Sequence, residues 1–155
     1  MSWVQNLHED RNQVNGNKLR TYRIYKTQLC TSAYVKSVLN RSHRRVLANF
    51  RSGSLPLAIE TGRYAKPKVP LNERICIYCN KNCVEDEMHF LMECEFYSDL
   101  RYFLFQKGQQ INETFSLLNK ADKFIFLMND TSVQPSLAKT MHNMFCRRKY
   151  CEHPS

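Results

Sequence analysis

Cys76 and Cys79 stand two residues apart, His89 follows after nine more residues, and Cys94 after a further four. C-x2-C is the spacing with which a tight turn grips one ion, and a later His and Cys complete the four-ligand set that structural zinc prefers. The spacing predicts a Cys3His zinc knuckle over residues 76–94, with Cys76, Cys79, His89 and Cys94 as ligands and Zn2+ as cofactor. Three thiolates and one imidazole fill a tetrahedron and leave no position for an activated water. The site is expected to hold shape, and the chain is expected not to be an enzyme. Cys83 keeps one alternative open, because Cys79 and Cys83 make a C-x3-C pair. Cys76 is preferred since C-x2-C is the commoner grip, and Cys83 then becomes an exposed thiol at the fingertip.

Two chemistries with similar residues fit poorly. A zinc deaminase places H-x-E ahead of P-C-x-x-C, whereas here the cysteine pair comes first and His89-Phe90-Leu91 lacks the glutamate. Thiol redox work by Cys76 and Cys79 calls for a βαβ setting, which Pro67 and Pro70 before the motif and a helical pattern after it do not supply.

A chain of 155 residues, 43% hydrophobic and 12% aromatic, can bury a core around such a knuckle. No apolar run approaches the roughly 18 residues that span a bilayer, and residues 1–11 lack the apolar stretch of a secretory signal. The expectation is an intracellular protein, nuclear or cytoplasmic, with no membrane partner. Three of the seven cysteines are spoken for as ligands. Cys30, Cys83, Cys146 and Cys151 remain, and a reducing compartment suits them better than a disulfide framework. Cys146 and Cys151 with His142 and His153 give a weak signal for a second metal site.

Charge is unevenly spread. Residues 1–74 carry 14 Lys and Arg against 4 Asp and Glu, and residues 75–155 carry 9 against 10. A basic half interleaved with Tyr22, Tyr25, Tyr34, Phe50 and Tyr64 suits RNA or DNA, whose phosphates attract the cations and whose bases can stack on the rings. The plainer alternative is a solvated basic face with no partner.

Along the chain, residues 1–16 read as a polar leader. Leu19, Tyr22, Tyr25 and Leu29 recur at helical spacing and predict a helix over residues 18–29, with Arg20, Arg23 and Lys26 on a basic face. Ser32 is placed to cap a short helix through Val38 and Leu39, and Ser42 to cap another from His43 to Arg51, stopped by Gly53. This last helix buries Val46, Leu47 and Phe50 and surrounds them with Arg41, Arg44, Arg45 and Arg51. Residues 54–74 read as an extended basic connector with a compact turn at residues 59–64, since Pro56, Pro67 and Pro70 discourage a long helix. Arg63, Lys66, Lys68 and Arg74 fall there, and with the four arginines before them form the candidate nucleic-acid-binding set. On one regular helix His89 and Cys94 would lie about 140° apart, so a break or short strand is expected between them. A helix from Glu95 to Lys107 with Phe96, Leu100, Phe103 and Leu104 on one stripe, core helices over residues 111–118 and 124–128, and a last amphipathic helix bearing Leu137, Met141, Met144 and Phe145 complete the pattern.

The order of these pieces carries a resemblance. A basic helix, then Ile59-Glu60-Thr61-Gly62-Arg63-Tyr64, then Glu73-Arg74-Ile75-Cys76-Ile77-Tyr78-Cys79, then residues 85–94 around His89 and Cys94, resembles the zinc-binding region downstream of the polymerase in non-long-terminal-repeat retrotransposon reverse transcriptases. It also looks like the short open reading frames that descend from such elements. The similarity runs from Lys18 to about Met128 and is most specific from Glu60 to Cys94. It implies the same four metal ligands, and a module that helps a polymerase domain engage template RNA or target DNA. The chain lacks the Tyr-x-Asp-Asp polymerase signature, so no polymerase activity carries over.

These readings converge on a mainly α fold, a small helical domain with a Cys3His zinc knuckle and little or no β structure. The expected layout is a flexible leader (1–16), a basic helical region and connector (17–74), the knuckle and following helix (75–107) and a C-terminal helical region (108–155), packed as one compact unit. The expected function is a non-catalytic nucleic-acid-binding zinc module. The alternative is a zinc-stapled protein-interaction module, docking a partner through residues 124–128 and the last helix, or a non-functional relic.

Overall fold

The computed structural model describes residues 18–37 and 39–152. The expected leader, Val38 and His153 lie outside them. The chain is mainly helical, as its periodicity predicts. In order come α1 (Tyr22–Tyr25), α2 (Ala33–Lys36), α3 (Arg41–Arg51), α4 (Ala58–Tyr64), α5 (Ser98–Ile111), α6 (Lys120–Asn129) and α7 (Gln134–Glu152). Short 3-10 turns occupy Leu71–Glu73, Glu95–Tyr97 and Phe115–Leu117, and His89–Glu93 forms one π turn. Among the described residues β pairing is confined to an isolated antiparallel bridge between Ile75 and Val84.

The described chain divides into two compact units, residues 18–30 with 49–96 and residues 31–48 with 97–152. This interleaving differs from the sequential layout and the single unit that the sequence suggested.

The first unit is built from short elements. In place of the helix predicted over residues 18–29, α1 makes a single turn, because Lys26 takes an extended conformation. Leu29 is 83% exposed. The expected basic face is also absent, since Arg23 and Lys26 are buried. Arg20 Nη2 and Thr21 Oγ1 donate to the buried carboxylate of Glu87 at 2.6 and 2.8 Å, and Lys26 Nζ donates to the carbonyl of Cys30. Local periodicity cannot register a carboxylate that lies more than sixty residues on; a buried charge must find its partner wherever the chain brings one. The stretch expected to be a turn within an extended connector is the helix α4.

The cap of α3 is Asn40: its Oδ1 accepts from the His43 N–H at 2.8 Å, while Ser42, the predicted cap, donates its hydroxyl to the same oxygen. Val46, Leu47 and Phe50 are buried as predicted. The helix stops where Gly53 turns left-handed at φ 66°, with a Cβ there falling 2.1 Å from the Lys18 carbonyl oxygen.

Long helices make the second unit, with α5 and α6 packed on α7. Leu104, Phe115, Phe124, Leu127, Met128, Leu137, Met141 and Met144 are its core. The core helix predicted over residues 111–118 is replaced by the end of α5 and a tight turn. Asn112 Oδ1 accepts from the Thr114 N–H and hydroxyl at 3.0 and 2.8 Å, closing that turn so that Phe115 goes in and Leu117 stays out. Phe115 seats against Gly108, where a Cβ would lie 3.0 Å from its ring carbons. Gly108 thus sits inside α5 and does not end it. The expected stripe on α5 is displaced too: Arg101 and Leu104 are buried, and Phe103 is exposed. Asn119 caps α6 through the Asp122 N–H at 2.9 Å, and the buried Gln134 amide donates to the Leu127 and Asp130 carbonyls at 2.9 and 2.7 Å, satisfying the end of α6 as α7 begins.

Candidate metal centre

Residues 74–85 form a narrow hairpin. The Glu85 N–H donates to the Arg74 carbonyl and the Cys76 N–H to the Cys83 carbonyl, both at 2.9 Å, and Asn82 turns the loop with φ 49°, a conformation asparagine tolerates better than most residues. This closure holds Cys76 at the mouth of the hairpin and Cys79 in its loop.

Two buried side chains anchor the hairpin on α4. Glu85 accepts the Ala58 N–H on Oε2 at 2.7 Å, and its backbone carbonyl accepts the Ile59 N–H at 3.1 Å. A carboxylate there meets both the unpaired amides and the positive end of the helix. Arg74 donates from Nη1 to the Ile59 carbonyl at 2.9 Å and from Nε to the Val69 carbonyl at 3.0 Å. Its side chain lies against Gly62, where a Cβ would come within 2.7 Å of Arg74 Cγ.

The remaining ligands come from the far side of the hairpin. Asp86 Oδ1 accepts the His89 N–H at 2.8 Å and starts a helical turn, which then widens: the Cys94 N–H donates to the His89 carbonyl at 2.8 Å, five residues back. This is the physical answer to the offset expected of a regular helix. A five-residue hydrogen bond adds one residue to the turn, so His89 and Cys94 come to the same side without the strand or break that the sequence suggested.

Cys76, Cys79, His89 and Cys94 each turn a ligand atom inward, and these atoms lie within 4.8 Å of one another. Cys76 Sγ and Cys94 Sγ are 3.9 Å apart, and Cys79 Sγ and His89 Nε2 are 3.4 Å apart. A tetrahedral ion with metal–sulfur bonds of about 2.3 Å and metal–nitrogen bonds of about 2.0–2.1 Å has ligand–ligand edges of roughly 3.5–3.8 Å. The donor set fits a metal ion. Cys76, His89 and Cys94 are buried.

The electrostatics agree. Burial, followed at a distance by the neighbouring thiols, pushes the Cys94 thiol up to about 12, and burial likewise raises Cys76. Gathering thiolates in one buried place is unfavourable without a cation, and a bound dication reverses that cost.

Cys83, expected to be an exposed fingertip thiol, is half-buried, with Sγ 3.2 Å from His89 Nδ1. Burial raises its pKa, with Cys79 the next cause. It can accept the Nδ1 proton and so fix the tautomer that turns Nε2 toward the other thiols, the part a carboxylate or carbonyl commonly takes beside a metal-bound histidine. The sequence signal for this is a cysteine six residues ahead of the histidine, a spacing that does not distinguish a partner of the ring from a competing ligand or an exposed thiol.

The eight candidate nucleic-acid-binding cations separate clearly. Arg41, Arg44 and Arg45 are exposed on α3, and Lys66 and Lys68 are exposed after α4. Arg63 is half-buried, 3.9 Å from Glu60. Arg51 and Arg74 are not surface cations: they are 4% and 8% exposed, Arg51 with its guanidinium 4.6 Å from the Tyr25 ring centre and Arg74 as the strut described above. Tyr78 packs on Phe96 with ring centres 5.3 Å apart, whereas Tyr64 is 65% exposed.

No protein-family model, curated protein or solved structure matches this chain.

Proposed function

We propose that the chain is a non-catalytic nucleic-acid-binding module in which a structural zinc ion, held by Cys76, Cys79, His89 and Cys94, fixes the hairpin and α4. Zinc is the first-row ion best matched to three thiolates and an imidazole in a tetrahedron, and a fully protein-filled coordination sphere suits a structural ion. This reading is the one implied by the resemblance to the zinc-binding region of non-long-terminal-repeat retrotransposon reverse transcriptases. It is supported by the way the fold sorts its cations. Arg23, Lys26, Arg51 and Arg74 are consumed inside, while Arg41, Arg44, Arg45, Lys66 and Lys68 face solvent and Tyr64 lies exposed close to Lys66 in the chain. That sorting is the observation that carries the proposal: these cations remain on the surface, and among the five Arg44 makes a structural hydrogen bond, from Nη2 to the Ser37 carbonyl at 3.3 Å.

Phosphate contacts of this kind bind RNA or DNA with little sequence preference. Each engaged cation adds about −0.9 to the slope of log K against log salt on duplex DNA and about −0.7 on a single strand. Fluorescence anisotropy with single-stranded RNA, single-stranded DNA and duplex DNA over a salt series tests this, with Lys66→Glu/Lys68→Glu expected to weaken every ligand alike. Absence of binding at low salt overturns it.

Of the surface assigned to the protein-interaction alternative, residues 124–128 and the last helix, Phe124, Leu127 and Met128 are fully buried in the second unit.

A further inference from the structure

His142 and Cys146 stand one turn apart on α7 and therefore share a face. His142 Nε2 and Cys146 Sγ are 3.6 Å apart, about the edge that nitrogen and sulfur ligands span on one tetrahedral ion. From the first turn of α3, in the same unit, the His43 ring lies beside His142 with centres 5.1 Å apart and planes inclined at 51°. Two imidazoles bound to one ion at about 2.0–2.1 Å place their ring centres roughly 5 Å apart.

We propose that His43, His142 and Cys146 form a second metal site, open to water at its fourth position, for a divalent transition-metal ion of the zinc, cobalt and nickel class. The sequence pointed to His142 and Cys146 with Cys151 and His153; the structure supplies His43 from a different helix, which no local spacing could reveal. Two features set the strength of the site. The Cys76 cluster is the group of donors already gathered, whereas here the His43 ring and the His142–Cys146 pair still have to converge on one ion. Lys139 places a cation near His43, which opposes a dication. The site is therefore weaker than the knuckle, and its ion exchanges with solvent.

The test uses the full chain carrying one equivalent of zinc, titrated with cobalt(II) in a thiol-free reductant. A second equivalent is expected to bind with a thiolate-to-cobalt charge-transfer band. Cys146→Ser removes the band, His43→Gln weakens the second equivalent roughly tenfold or more, and Lys139→Gln tightens it. In Cys76→Ser the second-site cobalt affinity is unchanged, which separates this site from the knuckle even where the knuckle fails to fold. A wild-type stoichiometry of one, a band that survives Cys146→Ser, or unchanged affinity in His43→Gln overturns the assignment.

Discussion

The two units reach stability by different means. In the unit of residues 31–48 and 97–152 the interior is mainly aliphatic, aromatic and methionine side chains on helices of 14, 10 and 19 residues, with Arg101, Gln134, Thr140 and Arg148 buried among them. Burial of a core Leu, Phe or Met contributes about 1.5–3 kcal/mol, and long helices align many such residues at once. The unit of residues 18–30 and 49–96 has helices of 4 and 7 residues and a hairpin joined by a single bridge. Its interior includes Arg23, Arg51, Arg74, Glu60, Glu85, Glu87 and His89. Buried ion pairs and hydrogen-bonded charges fix which groups meet, but they contribute little net stability after desolvation. Its apolar core, Tyr25, Phe50, Leu55, Leu57, Phe90 and Leu91, sits on short elements, and a metal held by the Cys3His cluster would tie those elements together.

Removing the metal therefore separates the units most strongly. A structural zinc contributes on the order of 10 kcal/mol to a small module. Chelation, or Cys94→Ser, is expected to unfold the hairpin, the π turn and α4 while α5, α6 and α7 keep their helical circular dichroism and amide protection. Hydrogen exchange read residue by residue checks this, with metal analysis giving one zinc per wild-type chain at the knuckle. Equal loss of protection in both units would show that they unfold as one body. The converse change is smaller. Leu127→Ala removes a fully buried side chain from the second unit and is expected to cost about 2–5 kcal/mol there. Knuckle zinc stoichiometry should be unchanged, and a loss of zinc from Leu127→Ala would break the contrast.

The same difference explains what the sequence could and could not disclose. Phe124, Leu127 and Met128 on α6, and Leu137, Met141 and Met144 on α7, were legible because helical burial leaves a period in the residues themselves. The four metal ligands were legible because their spacing is a chemical constraint written locally. Arg20 and Thr21 meeting Glu87, or Glu85 capping α4, left no such trace, because each pairing joins segments distant in the chain through groups whose local neighbours are unremarkable. Arg51 and Arg74 were misplaced for that reason: a cation in a basic stretch reads as surface until the carbonyls or ring that receive it are known. The π turn was half legible. The spacing of His89 and Cys94 ruled out a regular helix, but nothing in residues 89–94 distinguished an added residue in the turn from a break.

The smallest predicted effect asks whether charge matters differently in the helical unit. Asp99 and Arg147 form a two-pronged pair, Oδ1 to Nη1 at 2.6 Å and Oδ2 to Nη2 at 2.7 Å, and these hydrogen bonds, ahead of the charge attraction, lower the Asp99 pKa to about 2. The pair is largely exposed, so solvent screening limits its worth to about 1 kcal/mol or less. A depressed carboxyl pKa stabilises the folded state above the unfolded value of about 3.9, and the contribution fades as pH falls toward 2. Asp99→Asn should lower the protection of α5 and α7 amides slightly at neutral pH, and the gap to wild type should close in acid and shrink in high salt. The knuckle behaves otherwise, because a metal bound there competes with protons for its ligands and not with a partner arginine. An Asp99→Asn gap that persists unchanged at pH 2 would mean that Asp99 acts through packing and not through charge.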